Sequence, residues 1–116
     1  MSWEDDIIEN LKFGLVEILI LTLLTEEEMY GYRIKTELKK RTDNAIVVKE
    51  GSLYGPLYRM EERGLISHRR ELVGEKRFRN YYFIEPAGRE YLDFARKQFR
   101  AIYGGADQLM KGVFPE

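Results

Sequence analysis

The apolar residues of this chain change their spacing twice, and that change limits its fold more than any single motif. Ile7, Ile8, Leu11, Leu15, Ile18, Leu19 and Leu23 recur at steps of three and four, as one buried helix face does. Tyr30, Ile34 and Leu38 repeat the pattern in a shorter helix that ends near Thr42, and "AIVVK" adds a brief extended piece. In the stretch "EGSLYGPLYRMEERGLI", Leu53, Leu57 and Met60 share one side of a third helix. "LISHRREL" and "FRNYYFI" then leave the helical period for two runs of β-formers around a short basic turn, the pattern of a hairpin. Pro86 restarts a helix, and Leu92, Ala95, Phe99, Ile102, Ala106, Leu109 and Val113 form a heptad-like seam along it. Gly104 and Gly105 lie in its path and leave open whether it runs past Tyr103.

The order helix, helix, helix, hairpin, helix gives a mainly α fold with a β-hairpin, a winged helix-turn-helix with an added C-terminal dimerisation helix. Residues 5–85 form the winged unit with its N-terminal helix, and residues 86–113 the added helix, packed in the same compact body. A chain of 116 residues, 44% hydrophobic and 34% charged, fits one such domain. The third helix has a marked end: Gly64 suits the left-handed position past the last turn, with Leu65 packing back on Met60. Pro56 lacks an N–H and belongs in a first turn, which predicts a start near Gly51 or Ser52.

Charge is segregated along the chain. Residues 1–28 hold eight acids against one lysine, whereas residues 29–116 hold eighteen lysines and arginines against twelve acids, so the net charge of −1 conceals a basic surface. The acidic start is unlike a secretory signal, and Leu15 to Leu24 is about half the ~20 apolar residues a membrane span needs. With no cysteine to form disulfides or thiolate metal sites, these features point to a cytoplasmic protein with no membrane contact. The single histidine, His68, stands beside Arg69 and Arg70 on a predicted strand, and no metal-spaced cluster or Gly-rich phosphate loop accompanies it. The pattern excludes an enzyme and calls for no cofactor.

The basic surface has a shape that suits double-stranded DNA. Opposite the leucines of the third helix lie Ser52, Gly55, Tyr58, Arg59 and Glu62, small, hydroxylated or basic near the helix start, where a recognition helix meets base edges. Small residues let backbone approach DNA, Ser52 and Tyr58 offer hydroxyls, and Arg59 offers paired donors for guanine or a phosphate. The wing carries Arg69, Arg70, Lys76, Arg77 and Arg79 against Glu71 and Glu75, a composition that clamps a backbone or enters a minor groove. Tyr32, at the start of the second helix, stands where backbone N–H groups can meet a phosphate. For Lys49 and Arg70 a solvated charge and a phosphate contact are equally good readings, and Tyr54, Tyr81 and Tyr82 read as packing between helix and wing.

"YGYRI", "KEGSLYGPLYRMEERGLI" and "RNYYFIEPAGREYL" together resemble the PadR-like family of bacterial transcription regulators, from Leu15 to about Tyr103. The resemblance implies a homodimeric repressor that binds a pseudo-palindromic operator and is released by an effector. It also implies that the C-terminal helix packs with the first helix across the dimer axis, and that a small aromatic effector has a place there. Trp3, Phe13, Leu92, Ala95, Phe99 and Ile102 are the residues for such an interface or ligand cavity, with ordinary core packing as the other reading. The chain departs from the family pattern where Pro56 follows Gly55, where Asn80 replaces a commonly basic residue, where Glu75 sits near the wing tip, and at Glu85 before the last helix. A winged helix that binds protein rather than DNA is the alternative. Its expected mark is an exposed apolar cluster on the third helix.

Overall fold

The computed structural model describes residues 2–115. In chain order the elements are α1 (Trp3–Lys12), α2 (Leu15–Leu24), β1 (Met29–Tyr30), α3 (Gly31–Arg41), α4 (Glu50–Glu62), β2 (Ile66–Leu72), β3 (Phe78–Ile84) and α5 (Pro86–Val113). The three strands form one antiparallel sheet in the order β1-β3-β2. A mainly helical winged fold is therefore what the sequence encodes.

The continuous first helix expected from the apolar period is instead two helices. Gly14 takes a left-handed φ of 84° and Phe13 leaves the helical region, so the chain bends between α1 and α2. Only α2 then enters the core, through Ile20, Leu21, Leu23 and Leu24, while α1 buries none of its residues. The start of α1 is held by the Ser2 hydroxyl, which accepts the Asp5 N–H at 3.3 Å, with Glu4, Asp5 and Asp6 at the positive end of the helix dipole.

The core is a wedge between α2, α3, α4 and the sheet. Ile20, Leu21, Met29, Ile34, Leu53, Leu57, Met60 and Ile66 are almost wholly buried in it. Each such side chain contributes on the order of 1.5–3 kcal/mol of hydrophobic stabilisation. The α4 end forms as its sequence requires: Gly64 adopts φ 74°, its N–H donates to the Glu61 carbonyl at 3.0 Å, and the Leu65 N–H donates to the Met60 carbonyl at 2.9 Å. The helix starts at Glu50, slightly before the expected Gly51 or Ser52, so Pro56 falls in its second turn. Without an N–H there, the Ser52 carbonyl lacks its usual helical partner.

The expected hairpin forms between β2 and β3. The hairpin is joined by a third strand, because Met29 pairs with Tyr82 and Tyr30 with Tyr81. "AIVVK" joins no strand and leads into α4 through the extended Lys49; Val48 is buried and Ile46 packs on the core, while the Val47 carbonyl accepts from Lys12 Nζ at 3.1 Å. The question at Gly104 and Gly105 is resolved in favour of one helix, since α5 runs unbroken to Val113. Its first turn is locked against the wing. A β-carbon on Gly88 would stand 2.1 Å from the Leu65 carbonyl oxygen, which also accepts the Glu85 N–H at 2.9 Å. At 28 residues α5 is about 42 Å long, and beyond Phe99 every described residue is exposed.

Candidate nucleic-acid interface

The two faces of α4 differ completely in burial. Leu53, Leu57 and Met60 point inward at 1%, 1% and 0% exposure, whereas Ser52, Gly55, Tyr58, Arg59 and Glu62 are all exposed, Tyr58 at 64%. Among the described residues nothing buries that outer strip, which touches another helix only through Arg59. Lys49, the N-cap residue of α4, is exposed beside it, and its carbonyl accepts the Ser52 N–H at 2.9 Å. Pro56 leaves the Ser52 carbonyl without its helical donor, so the opening turns of the helix carry a polar edge.

Arg59 does not hang free. Its Nε donates to a Glu17 carboxylate oxygen of α2 at 3.3 Å, and its Nη1 lies 3.4 Å from where a β-carbon on Gly55 would sit. Tyr58 leans the other way, toward the C-terminal end of the helix. A hydrogen bond to the Glu62 carboxylate, helped by that negative charge, raises its phenol above the ordinary value. Glu62 therefore acts on the strip through Tyr58.

The wing separates residues that the sequence groups together. Strand alternation puts His68, Arg70, Phe78, Asn80 and Tyr82 on one face, and Arg69, Glu71, Arg79 and Tyr81 on the other. Arg70 stacks on Phe78 at 4.4 Å, while Arg79 lies over the Tyr30 ring at 4.1 Å and its pKa is raised by a hydrogen bond to Tyr81. Arg69 is occupied by Glu28 at 2.8 Å and Glu71 at 2.6 Å. At the tip, Lys76 and Arg77 are exposed and make no ion pair among the described residues, and the turn is closed by the Val73 N–H on the Arg77 carbonyl at 2.9 Å. Lys76 and Arg77 at the tip, beside Glu75, and Arg70 and Arg79 on the strands are thus the wing cations that no carboxylate holds among the described residues.

Between wing and α4 lies a cleft of about 420 Å³ lined by Tyr30, Gly31, Tyr54, His68, Arg70, Phe78, Arg79, Asn80 and Tyr82. Tyr82 is buried, which pushes its phenol pKa up, and Tyr54 sets its hydroxyl 3.3 Å from where a Gly31 β-carbon would be. These tyrosines join helix to wing. A link the sequence did not suggest strengthens that joint: His68 Nδ1 lies 2.5 Å from a Glu61 carboxylate oxygen. On α3, Tyr32 is 58% exposed at an N-terminus whose N-cap residue, Tyr30, supplies no side-chain bond. Arg41 is held by Glu26 through two hydrogen bonds of 2.6 and 2.8 Å, and Arg33 pairs with Glu27.

The residues expected at an interface or ligand cavity are divided. Leu92 is buried in the protomer's own core, as the core-packing reading has it, and is not part of an exposed surface. Phe99 lines a groove of about 240 Å³ between α2 and α5, with Leu15, Ile18, Leu19, Thr22, Arg96 and Arg100. Ala95 is half-buried, and Trp3, Phe13 and Ile102 are exposed at 70%, 87% and 63% without lining that groove. Among the described residues no helix is long and apolar enough to cross a membrane.

Residues 20–93 match the family model described as the transcriptional regulator PadR-like family. A transcriptional regulator from Clostridium thermocellum is 31% identical, with a TM-score of 0.77 over 85% of this chain and 93% of that one. A PadR-like transcriptional regulator from Bacillus cereus is 29% identical, with a TM-score of 0.75 over 88% of this chain and 97% of that one. Bacillus subtilis PadR, solved in complex with operator DNA, is 25% identical, with a TM-score of 0.64 over 68% of this chain and 45% of that one.

Proposed function

Because the chain belongs to the PadR-like family of transcriptional regulators, whose members regulate rather than catalyse, we propose that it is a transcriptional repressor that binds double-stranded DNA sequence-specifically. It acts in the cytoplasm as a homodimer on a pseudo-palindromic operator. One observation carries this reading: the leucines of α4 are hidden and its outer strip is bare. That strip holds Ser52, Gly55, Tyr58 and Arg59 at the helix start, where a recognition helix touches bases. Lys49, Tyr32, Arg70, Arg79, Lys76 and Arg77 serve phosphates around it, and the relative from Bacillus subtilis, crystallised on its operator, supports a DNA partner.

The dimer follows from what one protomer leaves uncovered. Ile7, Ile8 and Leu11 of α1 and Phe94, Ile102 and Leu109 of α5 are each about half exposed or more. A second copy covers them, and a two-fold arrangement sets two α4 helices about 34 Å apart on successive turns of one DNA face. The groove beside Phe99, apolar in its floor with Arg96 and Arg100 at the rim, suits a small aromatic effector whose binding releases the operator. The protein-binding alternative needs its apolar patch on α4. The exposed apolar residues lie mainly on α1 and α5 instead.

The test is selection of duplexes from a random library, followed by titration of the enriched site against its scrambled version at several salt concentrations. Enrichment of an inverted repeat, bound with a steep salt dependence, is expected. Arg59→Ala should cost about 1–3 kcal/mol on the enriched site, and Lys76→Ala with Arg77→Ala should weaken both duplexes alike. Equal binding to every duplex, or no loss in these variants, would overturn the reading.

A further inference from the structure

We propose that Glu17 is a positioning residue for Arg59, and that it sets how sharply the protein prefers its operator over random duplex. The proposal rests on the DNA-binding reading above. Glu17 lies in the first turn of α2, 42 residues from Arg59, with its side chain 16% exposed against 54% for the arginine. The anchor is sheltered and the group it holds is open.

Which nitrogen is held decides the consequence. The Glu17 carboxylate takes Nε of Arg59, leaving both terminal nitrogens unclaimed by it, and Nη1 lies across Gly55, where no side chain stands in the way. End-on recognition of guanine O6 and N7 uses that terminal pair. The arrangement presents the fork across the outer face of α4 with one torsional sweep already restricted. An untethered arginine would reach phosphates on any sequence as readily as a guanine edge. To grip a displaced phosphate, Arg59 must leave Glu17, and a mostly sheltered carboxylate is then left without its cation. Guanine read in place demands no such separation, so the ion pair penalises random duplex more than operator.

The experiment compares anisotropy titrations of the enriched duplex and its scrambled version for wild type, Glu17→Gln, Glu17→Ala, Arg59→Ala and the Glu17→Ala/Arg59→Ala double variant. Glu17→Ala is expected to lower the ratio of the two affinities about tenfold, by tightening the scrambled duplex and loosening the enriched one. Glu17→Gln, which keeps an acceptor oxygen but not the charge, should lower it less. In the Arg59→Ala background, Glu17→Ala should leave the ratio where it was. A fall of equal size in both backgrounds would mean that any lost acid has the same effect, and would overturn the proposal, as would an unchanged ratio in both Glu17 variants. Thermal unfolding is followed alongside, and Glu17→Gln carries the test if the alanine variant does not fold. Wild-type protein that fails to discriminate would overturn the DNA-binding reading and this proposal together, and is recognised before any substitution is made.

Discussion

The segment from α2 to β3 and the pair formed by α1 with the outer half of α5 are both rich in apolar side chains, but only the first hides them within one chain. Ile20, Ile34, Leu57 and Met60 are at most 1% exposed, whereas Trp3, Leu11, Ile102 and Leu109 are 61% exposed or more. The winged part is complete as a single protomer, and the two outlying helices are not. On the proposed reading their apolar faces meet a second copy and the polar strip on α4 meets DNA. The two kinds of exposure call for different partners: apolar area for a second protein surface, donors and cations for a polyanion.

The sharpest way to break this contrast is to load the joint at Gly88. Gly88→Ala would push a methyl group to 2.1 Å from a backbone oxygen and 2.8 Å from Ile84, and should cost more than about 3 kcal/mol in chemical denaturation. Leu57→Ala should cost about 2–5 kcal/mol by the same measurement. Leu109→Ala, at a site 71% exposed, should change the stability of the dilute protein by no more than about 0.5 kcal/mol. Equal costs for Leu57 and Leu109 would erase the distinction between a closed region and an open one.

A gentler change sharpens it. Ile102→Glu places a charge on the exposed face of α5 without touching the core, and should convert the sedimenting species from dimer to monomer while circular dichroism stays unchanged. Persistence of a dimer would move the interface elsewhere. The smallest expected effect belongs to Glu26, whose carboxyl is held below its ordinary value by hydrogen bonding and charge from Arg41. The folded pKa lies below the unfolded one, so its contribution is fully present above the unfolded value and is lost as pH falls through the folded one. Both groups are in solvent and the contribution is small. Melting curves of wild type and Glu26→Gln should differ slightly at neutral pH and converge in acid.

What the sequence revealed and what it concealed divide along the range of the interactions. The inward leucines of α4 and its Gly64 end were legible because both depend on residues within a few positions of each other. The short strand β1 was not, since two residues carry no period and Met29 and Tyr30 become a strand only by pairing with Tyr82 and Tyr81. Gly14 and the Gly104–Gly105 pair show the limit of a local rule. The first breaks a helix through a left-handed turn, while the second is carried within α5, where Asp107 and Lys111 pair at 2.9 Å one turn on. In the candidate site, the exposed strip of α4 followed from periodicity. The Glu17–Arg59 and Glu61–His68 pairs did not, because each depends on how separate elements pack. Nor did the strand alternation that sends Arg70 and Arg79 to opposite faces of the wing.

The most direct test of the central claim is a titration of isotope-labelled protein with its enriched duplex, followed by backbone amide and arginine side-chain resonances. Large shifts should fall on Ser52, Gly55, Tyr58 and Arg59 and on Lys76 and Arg77 at the wing tip, with α1 and the outer half of α5 little changed. Shifts gathered on α1 and α5 instead, with the outer strip of α4 silent, would contradict the account.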